Sequence, residues 1–531
     1  MNRFFTTLLA TVLLPAATVT AAEEAVPATI AAKLLTESGT AADISGETVS
    51  LARESQSYMS IQGFVIPVKS YNSVAELVKS ADGTSCTLVY PIAELSTKSI
   101  TGTIAGGKVS FALPQKVNQV TVDEDGTPAT YDIYVTTFSE VEVEPGVTSW
   151  VSDGKPQTMV FTLGDDGSLT ADNEKLMMGV GADMGDEGMQ WLGFGDVNIR
   201  MTPMTDKAVE VPSGLVTENY VVRNMDSPYI AQVGFDGEDI YVKGLVSGVP
   251  EGWIKGKVSE GKVTFDNGQY LGIAHTATTY RNYVYCVVTT QDYDADFNVV
   301  YAPIEPTFEI AYDSEKKSLS FSTSQIVCMS VSPDQTQYIK SIAQYVSLEY
   351  RGVFEPTTPP DPVIESFTAY DETSGYGEID FTMPDNGADG KVLDYTNYFY
   401  NVYVDGKLYE VKPDVYPSVT EAMTDIPYSY TEENDFYTYP GGYHMFYFRI
   451  PEYKSIALQS VYTVGGVTNK SGLVYAVGES GVEEVRMDAS KVINEEYFDL
   501  TGRRTTAKSK GIVIKRETLS DGSVRTSKCI L

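Results

Sequence analysis

The chain has 531 residues, of which 42% are hydrophobic and 21% charged, close to the usage of ordinary globular proteins. Its 38 basic and 72 acidic residues give a formal net charge of −34. This charge argues against nucleic acid and anionic membrane surfaces as partners, because both need clustered lysine and arginine. With only two histidines, a zinc site built from several histidines is also excluded.

The N-terminus has the three parts of a secretory signal over residues 1–22. Arg3 supplies the positive charge, Phe4–Leu14 is a short apolar run, and Val19–Ala22 offers small residues for cleavage. The apolar run is too short for a transmembrane helix. We therefore expect an exported protein, at the cell surface or extracellular, with the periplasm as the alternative. We expect no membrane insertion of the mature chain.

An internal repeat organises the first two thirds of the chain. SITGTIAGGKVSF at residues 99–111 matches WIKGKVSEGKVTF at residues 253–265. The matched blocks alternate apolar and polar residues, which is typical of half-buried antiparallel strands. We interpret residues 26–206 and 209–353 as two copies of one β-sandwich or barrel-like domain. Helical stretches are few, and Ile30–Leu35 and Val74–Lys79 are each expected to form a turn or two.

Four cysteines in so long a chain do not form a disulfide framework. Cys286 and Cys328 lie in apolar, strand-like runs. Two interpretations stay open: buried free thiols that act as small hydrophobic residues, or a bridge between strands of one sheet.

A third domain follows a proline-rich linker at residues 354–362. Residues 363–478 contain about seven strand-like segments. Among them, two alternating runs flank Asp405-Gly406, a sequence typical of a two-residue hairpin turn. The pattern predicts an immunoglobulin-like sandwich, so the whole chain is predicted to be all-β.

Residues 356–478 resemble the fibronectin type III-like modules of secreted proteins from gut Bacteroidetes-type bacteria. The resemblance rests on the Pro-Pro entry, the segment Phe381–Asp394, the YVDGKLYE hairpin and Ser455–Ser471. It implies a sandwich whose core is built from tyrosine and phenylalanine, since this segment lacks the tryptophan that such modules bury.

The last segment, residues 481–531, ends in a basic stretch that contrasts with the acidic body. It resembles the C-terminal sorting domain of the type IX secretion system, which implies export to the cell surface. The alternative is a small β hairpin that packs on the preceding domain. The matching residues are Tyr497, Asp499, Leu500, Gly502, Arg503, Gly511, Ile512 and Val513.

Aromatic residues are the candidate ligand-binding groups. A tyrosine-rich stretch punctuated by proline and glycine resembles a loop, and exposed tyrosines there would form a rigid surface for a glycan or a protein. The alternative is that they pack over the open end of the sandwich. Trp191 stands among glycines, and it is either a flat binding face or a core anchor. The tyrosines are Tyr428, Tyr430, Tyr437, Tyr439 and Tyr443.

An acidic loop is the candidate metal site. Asp385 and Asp389 supply the clustered oxygens that Ca²⁺ prefers, although turn chemistry also explains this segment. No other cofactor is expected.

These patterns favour a non-enzymatic secreted or cell-surface binding protein that recognises a glycan or a host or surface protein through loop aromatics. A structural spacer of the cell surface is one alternative. A glycan-active hydrolase with an unrecognised carboxylate pair is another. The sequence contains no signal for the oligomeric state.

Overall fold

The structure is a computed structural model. It describes residues 25–35, 46–61, 64–93, 95, 98–124, 127–144, 147–225, 228–276, 280–295, 297–333, 339–417, 419–432, 435–439, 441–478, 492–498, 504–505, 512–519 and 524–530. The chain divides into two units, residues 1–352 and 353–531. No helix of the described part has the length and apolar character needed to cross a membrane. The secretory signal predicted at residues 1–22 lies outside the described residues.

In the first repeat, eight antiparallel strands close into a ring in which each strand pairs with the next and the last pairs with the first. A single helix, α1 (Ala25–Leu35), precedes them. The ring contains β1 (Glu47–Ile61), β2 (Phe64–Lys79), β3 (Ser85–Val89), β4 (Ser99–Ala105), β5 (Lys108–Leu113), β9 (Gln157–Leu163), β10 (Leu169–Ala171) and β12 (Met189–Pro203). The other strands of this repeat are β6 (Gln115–Glu124), β7 (Thr127–Glu144), β8 (Val147–Val151) and β11 (Met177–Asp183).

The second repeat closes into a barrel with the same order of strands. Its eight strands are β13 (Thr217–Arg223), β14 (Tyr229–Asp236), β15 (Asp239–Lys243), β16 (Trp253–Ser259), β17 (Lys262–Asp266), β21 (Thr307–Asp313), β22 (Ser318–Ser320) and β25 (Ser347–Tyr350). The additional strands are β18 (Gln269–His275), β19 (Arg281–Tyr293), β20 (Val299–Pro303), β23 (Gln325–Ser330) and β24 (Ile339–Gln344).

The all-β fold class is confirmed. In both repeats the two faces of the expected sandwich belong to one closed barrel. Each copy has extra strands after its fifth barrel strand and one or more before its eighth. A strand of the first insertion is hydrogen-bonded to a strand of the second, β7 to β11 in the first copy and β19 to β23 in the second. This equivalence supports the interpretation of two homologous copies, whose boundaries stay a prediction.

Apolar side chains fill the interior of each barrel. Ile30 and Leu34 of α1 pack into the first core, so the helical expectation at Ile30–Leu35 is confirmed. The helical expectation at Val74–Lys79 is wrong, because this segment is the end of β2. Its β-branched valines suit a strand, and β2 is hydrogen-bonded there to β1 and β3.

A buried ion pair joins two strands of the first barrel. Arg53 on β1 and Asp196 on β12 are both fully buried, with Nη1 and Oδ2 3.8 Å apart. Asp196 also accepts hydrogen bonds from the Ser57 hydroxyl (2.5 Å) and the Ala93 backbone N–H (2.9 Å). These partners compensate the charge, because a carboxylate is costly to bury without them.

The two repeats share one sheet and a common apolar cluster. Asn282 of β19 pairs with Ser73 of β2, and its side chain donates to the Tyr71 carbonyl (2.8 Å). Tyr283 packs in one buried cluster with side chains of the first repeat. Contacts of this kind make the repeats one packed body. The first-repeat members of the cluster are Val74, Val78, Val89 and Tyr90.

Cys286 and Cys328 are buried free thiols, so the alternative of a bridge between them is wrong. On the paired strands β19 and β23, Cys286 faces Met329 while Val287 faces Cys328. Successive side chains of a strand point to opposite faces, so the two sulfurs lie on opposite sides of the sheet. Burial raises the pKa of both thiols, to about 12 for Cys286 and about 11 for Cys328.

The second unit begins with two antiparallel sheets. One has the order β26-β27-β32-β31, and the other has β28 and β33 at its centre. The Asp405-Gly406 hairpin is confirmed, since Val404 pairs with Lys407 and both turn residues have positive φ. The strands are β26 (Val363–Asp371), β27 (Tyr376–Thr382), β28 (Tyr398–Val404), β29 (Lys407–Leu408), β30 (Ile426–Pro427), β31 (Phe436–Tyr439), β32 (Tyr443–Phe448), β33 (Ile456–Val464), β34 (Val467–Lys470) and β35 (Val474–Val477).

The C-terminal segment contains one antiparallel four-stranded sheet. Part of the motif that resembles a sorting domain, residues 499–503 and 511, lies outside the described residues. The strands are β36 (Val492–Phe498), β37 (Arg504–Thr505), β38 (Ile512–Leu519) and β39 (Val524–Ile530).

Candidate functional site

The tyrosine-rich stretch is partly a β hairpin and not a loop. In β31 and β32, Tyr437 pairs with Met445 and Tyr439 pairs with Tyr443. Every second residue of β32 is buried, so the tyrosines between them point to the outer face of the sheet. The buried members of the two strands are Phe436, His444, Phe446 and Phe448.

Five tyrosine rings form one continuous row on this outer face, here called the tyrosine strip: Tyr376, Tyr447, Tyr437, Tyr439 and Tyr443. Ring centroids lie 5.1 Å apart between Tyr376 and Tyr447, and 5.9 Å apart between Tyr447 and Tyr437. Tyr437 and Tyr439 are 6.3 Å apart with planes inclined by 17°. Tyr439 and Tyr443 complete the row at 6.0 Å.

The strip is a shallow platform. Tyr376 and Tyr439 are 40% and 42% exposed, and the other three rings are half-buried. Ring contacts hold neighbouring tyrosines in place, and a tyrosine side chain has few rotatable bonds to immobilise. The arrangement therefore offers aromatic surface to a ligand at low cost in conformational entropy.

Carboxylates of β27 lie beside the strip. Glu378 pairs with Tyr447 and Asp380 pairs with Met445, so both carboxylates are on the outer face. Burial and the neighbouring charge of Asp380 raise the pKa of Glu378. Burial, followed by the proximity of Asp380, raises the pKa of Tyr443 to about 12. The two carboxylates are thus close to each other and to the rings.

One oxygen of the Asp380 carboxylate is enclosed without a hydrogen bond. Oδ2 accepts from the Ser366 hydroxyl at 2.7 Å, whereas Oδ1 is buried and has no hydrogen-bond partner among the described residues. Glu365, on the adjacent strand β26, accepts from the Thr382 hydroxyl at 3.0 Å.

Tyr428 and Tyr430 do not belong to the strip. Tyr428 is only 1% exposed, so the expectation that it forms part of an exposed surface is wrong. It follows β30, which pairs with β28 of the other sheet, and its ring stacks on buried Tyr398 at 5.2 Å. Tyr430 is half-buried against Phe436, with ring centroids 5.3 Å apart. Tyr428 therefore lies in the core, next to the strand that pairs with the second sheet, and Tyr430 lies at the edge of the core.

Trp191 lies in the first unit, on β12. It is half-buried, and its indole N–H donates to the Phe194 carbonyl at 3.1 Å. Its ring packs against a buried cluster that contains Phe138 and Trp150. These contacts fit the interpretation of Trp191 as a residue that anchors the core.

The structure does not bring a ligand set together at Asp385 and Asp389. Asp385 accepts a hydrogen bond from the Tyr395 hydroxyl (2.8 Å), and Asp389 accepts from the Lys391 backbone N–H (3.1 Å). In the described part of the chain, no three His, Cys, Asp or Glu side chains group as metal ligands. The two carboxylates are used in local contacts, which turn chemistry explains, and the calcium site stays a prediction.

Sequence reasoning missed Tyr376, Tyr447, Glu378 and Asp380 as members of this surface. The signal was present in the alternation of β27, where Gly377, Ile379 and Phe381 are buried and the residues between them face outward. The register that brings β27 beside β32 has no local signal, because the two strands are far apart in the chain.

Comparison with known protein families gives no match, and comparison with curated proteins gives none either. The functional argument for this chain therefore rests on the geometry of its own residues.

Proposed function

We propose that the protein is a non-enzymatic binding protein whose tyrosine strip recognises a glycan. Sugar rings would stack on the tyrosine faces, and sugar hydroxyls would donate to Glu378 and Asp380. The continuous row of five rings beside two carboxylates is the observation that supports this proposal.

A shallow platform suits a glycan better than a protein partner. Protein interfaces are anchored by side chains that fill well-packed pockets, whereas the strip offers a row of ring faces. A host or surface protein is the alternative ligand, and the experiment below separates the two.

The carboxylate pair does not have the arrangement that favours a glycan hydrolase. Glu378 and Asp380 lie two residues apart on one strand, so both approach a bound molecule from the same side. Hydrolysis of a glycosidic bond needs carboxyl groups that flank the bond. A binding role therefore fits these residues better than catalysis.

The proposed setting is outside the cytoplasm. The secretory signal at residues 1–22 and the tail that resembles a type IX sorting domain both favour export to the cell surface. The acidic body would keep such an exported protein soluble.

An array of host and dietary glycans, probed with the mature chain, tests the proposal. A specific hit should weaken by about 10-fold to 100-fold in the double variant Tyr437→Ala/Tyr439→Ala, since each lost ring contact is worth about 0.5–1.5 kcal/mol. The matched control is Tyr293→Ala/Tyr345→Ala, which removes two exposed tyrosines of the first unit.

Undiminished binding by the strip variant would refute the assignment of the site. Absence of any glycan hit, combined with a protein partner captured through the same tyrosines, would replace the glycan with a protein ligand.

A further inference from the structure

We infer that the glycan recognised by the tyrosine strip carries positive charge, as an oligosaccharide with free amino groups does. The inference rests on the proposed function and specifies the ligand class of the same surface. Its basis is the sign of every charge built into this sheet and the position of two carboxylates beside the rings.

The sheet that carries the strip contains acidic residues, and its only basic residue is the buried His444. Its four strands, β26, β27, β31 and β32, include no lysine or arginine. Arg449 follows β32, and its guanidinium is already paired with Asp435, with Nη2 and Oδ1 2.8 Å apart. The acidic residues of the four strands are Glu365, Asp371, Glu378 and Asp380.

Glu378 and Asp380 repel each other in the absence of a cation. Both side chains stand on the outer face of β27, two residues apart. The raised pKa of Glu378 reflects burial and this repulsion, and burial, followed by Asp380, also raises the pKa of the neighbouring Tyr443 phenol. An ammonium group between the two carboxylates would supply N–H donors and relieve the repulsion. The pair is therefore better satisfied by a cationic ligand than by a neutral one.

The aromatic rings add to this preference. A cation above a tyrosine face is attracted by the negative charge density of the ring. Met445 lies between Tyr437 and Asp380 in the sheet register, so rings and carboxylates border the same patch. A sugar with an amino group would stack on a ring while its ammonium group contacts a carboxylate.

Long-range charge disfavours the opposite class of ligand. The chain carries a formal charge of −34 and would repel sulfated or uronic-acid glycans. Neutral glycans would stack on the rings and donate hydroxyl hydrogen bonds to the carboxylates, without the additional ionic contact.

The test compares two probes of equal length, the hexasaccharide of glucosamine and that of N-acetylglucosamine. Calorimetry on the mature chain at about pH 6, where the amino groups are protonated, should give binding about tenfold tighter for the glucosamine hexasaccharide. This preference should decline as sodium chloride is increased, because salt screens exposed charges.

The variant Glu378→Gln/Asp380→Asn should reduce the preference to about twofold or less, because the amides keep the shape of the side chains and remove their charge. The control Asp414→Asn/Glu421→Gln neutralises one aspartate and one glutamate at exposed positions between β29 and β30, and it should keep the preference. Unchanged thermal unfolding of both variants would establish that they fold.

The outcomes separate this inference from the proposed function. Equal binding of the two probes, or a preference that survives Glu378→Gln/Asp380→Asn, would overturn the cationic ligand and leave glycan binding in place. Absence of binding by both probes, with binding of other glycans on the array, would also overturn it. Absence of any glycan binding would overturn both.

Discussion

His444 is a buried histidine beneath the tyrosine strip. Its ring stacks on Phe381 with centroids 5.1 Å apart and planes inclined by 14°. Nδ1 and Nε2 lie 2.7 and 2.6 Å from the carbonyl oxygens of Gly442 and Tyr428. Burial lowers the pKa of His444, and the two carbonyl acceptors oppose this shift without overcoming it.

A pH dependence of stability follows from the lowered pKa of His444. The histidine pKa in an unfolded chain is about 6.5. As pH falls through this value, the unfolded state binds a proton, whereas the folded state binds it only at a lower pH. Stability from the neutral ring is complete above about pH 6.5 and is lost as pH falls. We expect the unfolding free energy of the second unit to decrease by at most about 1.4 kcal/mol per pH unit.

Calorimetry of the full chain between about pH 8 and pH 5 measures this dependence. All three tryptophans lie in the first unit, so the transition without a tryptophan fluorescence change belongs to the second. His444→Gln should flatten the dependence in this range, and His275→Gln, at an exposed position, should not. An unaltered slope in His444→Gln would contradict the assignment.

At the scale of elements, the repeated hairpin packs an aromatic ring over a glycine in both copies. A Cβ on Gly102 of β4 would lie 2.7 Å from the ring of Phe111, and a Cβ on Gly256 of β16 would lie 2.7 Å from the ring of Phe265. These distances leave no room for a methyl group. The shared motif G-x-x-x-x-G-K-V-x-F thus encodes a packing contact in both barrels.

Alanine at either glycine should destabilise its barrel. Gly102→Ala and Gly256→Ala are each expected to reduce the free energy of unfolding by about 1–3 kcal/mol, the usual cost of overpacking a core. Denaturant titration followed by tryptophan fluorescence measures the change. The neighbouring exposed positions give the controls Thr103→Ala and Lys257→Ala, which should have much smaller effects. A cost confined to one of the two glycines would show that the hairpins are not equivalent.

At the scale of the whole molecule, the shared sheet and the cluster around Tyr283 should make the two repeats unfold together. We expect two calorimetric transitions in the full chain, one for each unit. Tyr283→Ala should cost about 3 kcal/mol and separate the two barrels into distinct transitions, because it removes a large side chain from their common core. The control is Tyr293→Ala, at a 59% exposed position of the same strand.

Tryptophan fluorescence provides an independent readout of this coupling. Trp150 and Trp191 report on the first barrel and Trp253 on the second. Separate melting of the two barrels in the unmodified chain would refute the coupling.

How far the sequence predicted the structure depended on the range of the interaction. The turn at Asp405-Gly406 followed from local backbone preferences, and it was found. The helix expected at Val74–Lys79 was wrong, because the segment is hydrogen-bonded to two neighbouring strands, a pairing that no local pattern shows. Tyr437 and Tyr439 were recognised as candidate binding residues, but their position on a strand and their contact with Tyr447 depended on the register of β31 and β32.

The sequence by itself determined the all-β class and the turn chemistry, because alternation of apolar residues and Asx-Gly dipeptides act over a few positions. Only the tertiary structure decided that the barrels close, that Cys286 and Cys328 face opposite sides of a sheet, and that Tyr376 joins the strip. Each of these depends on the register between strands distant in sequence. A shift of one residue in that register would turn every side chain to the other face.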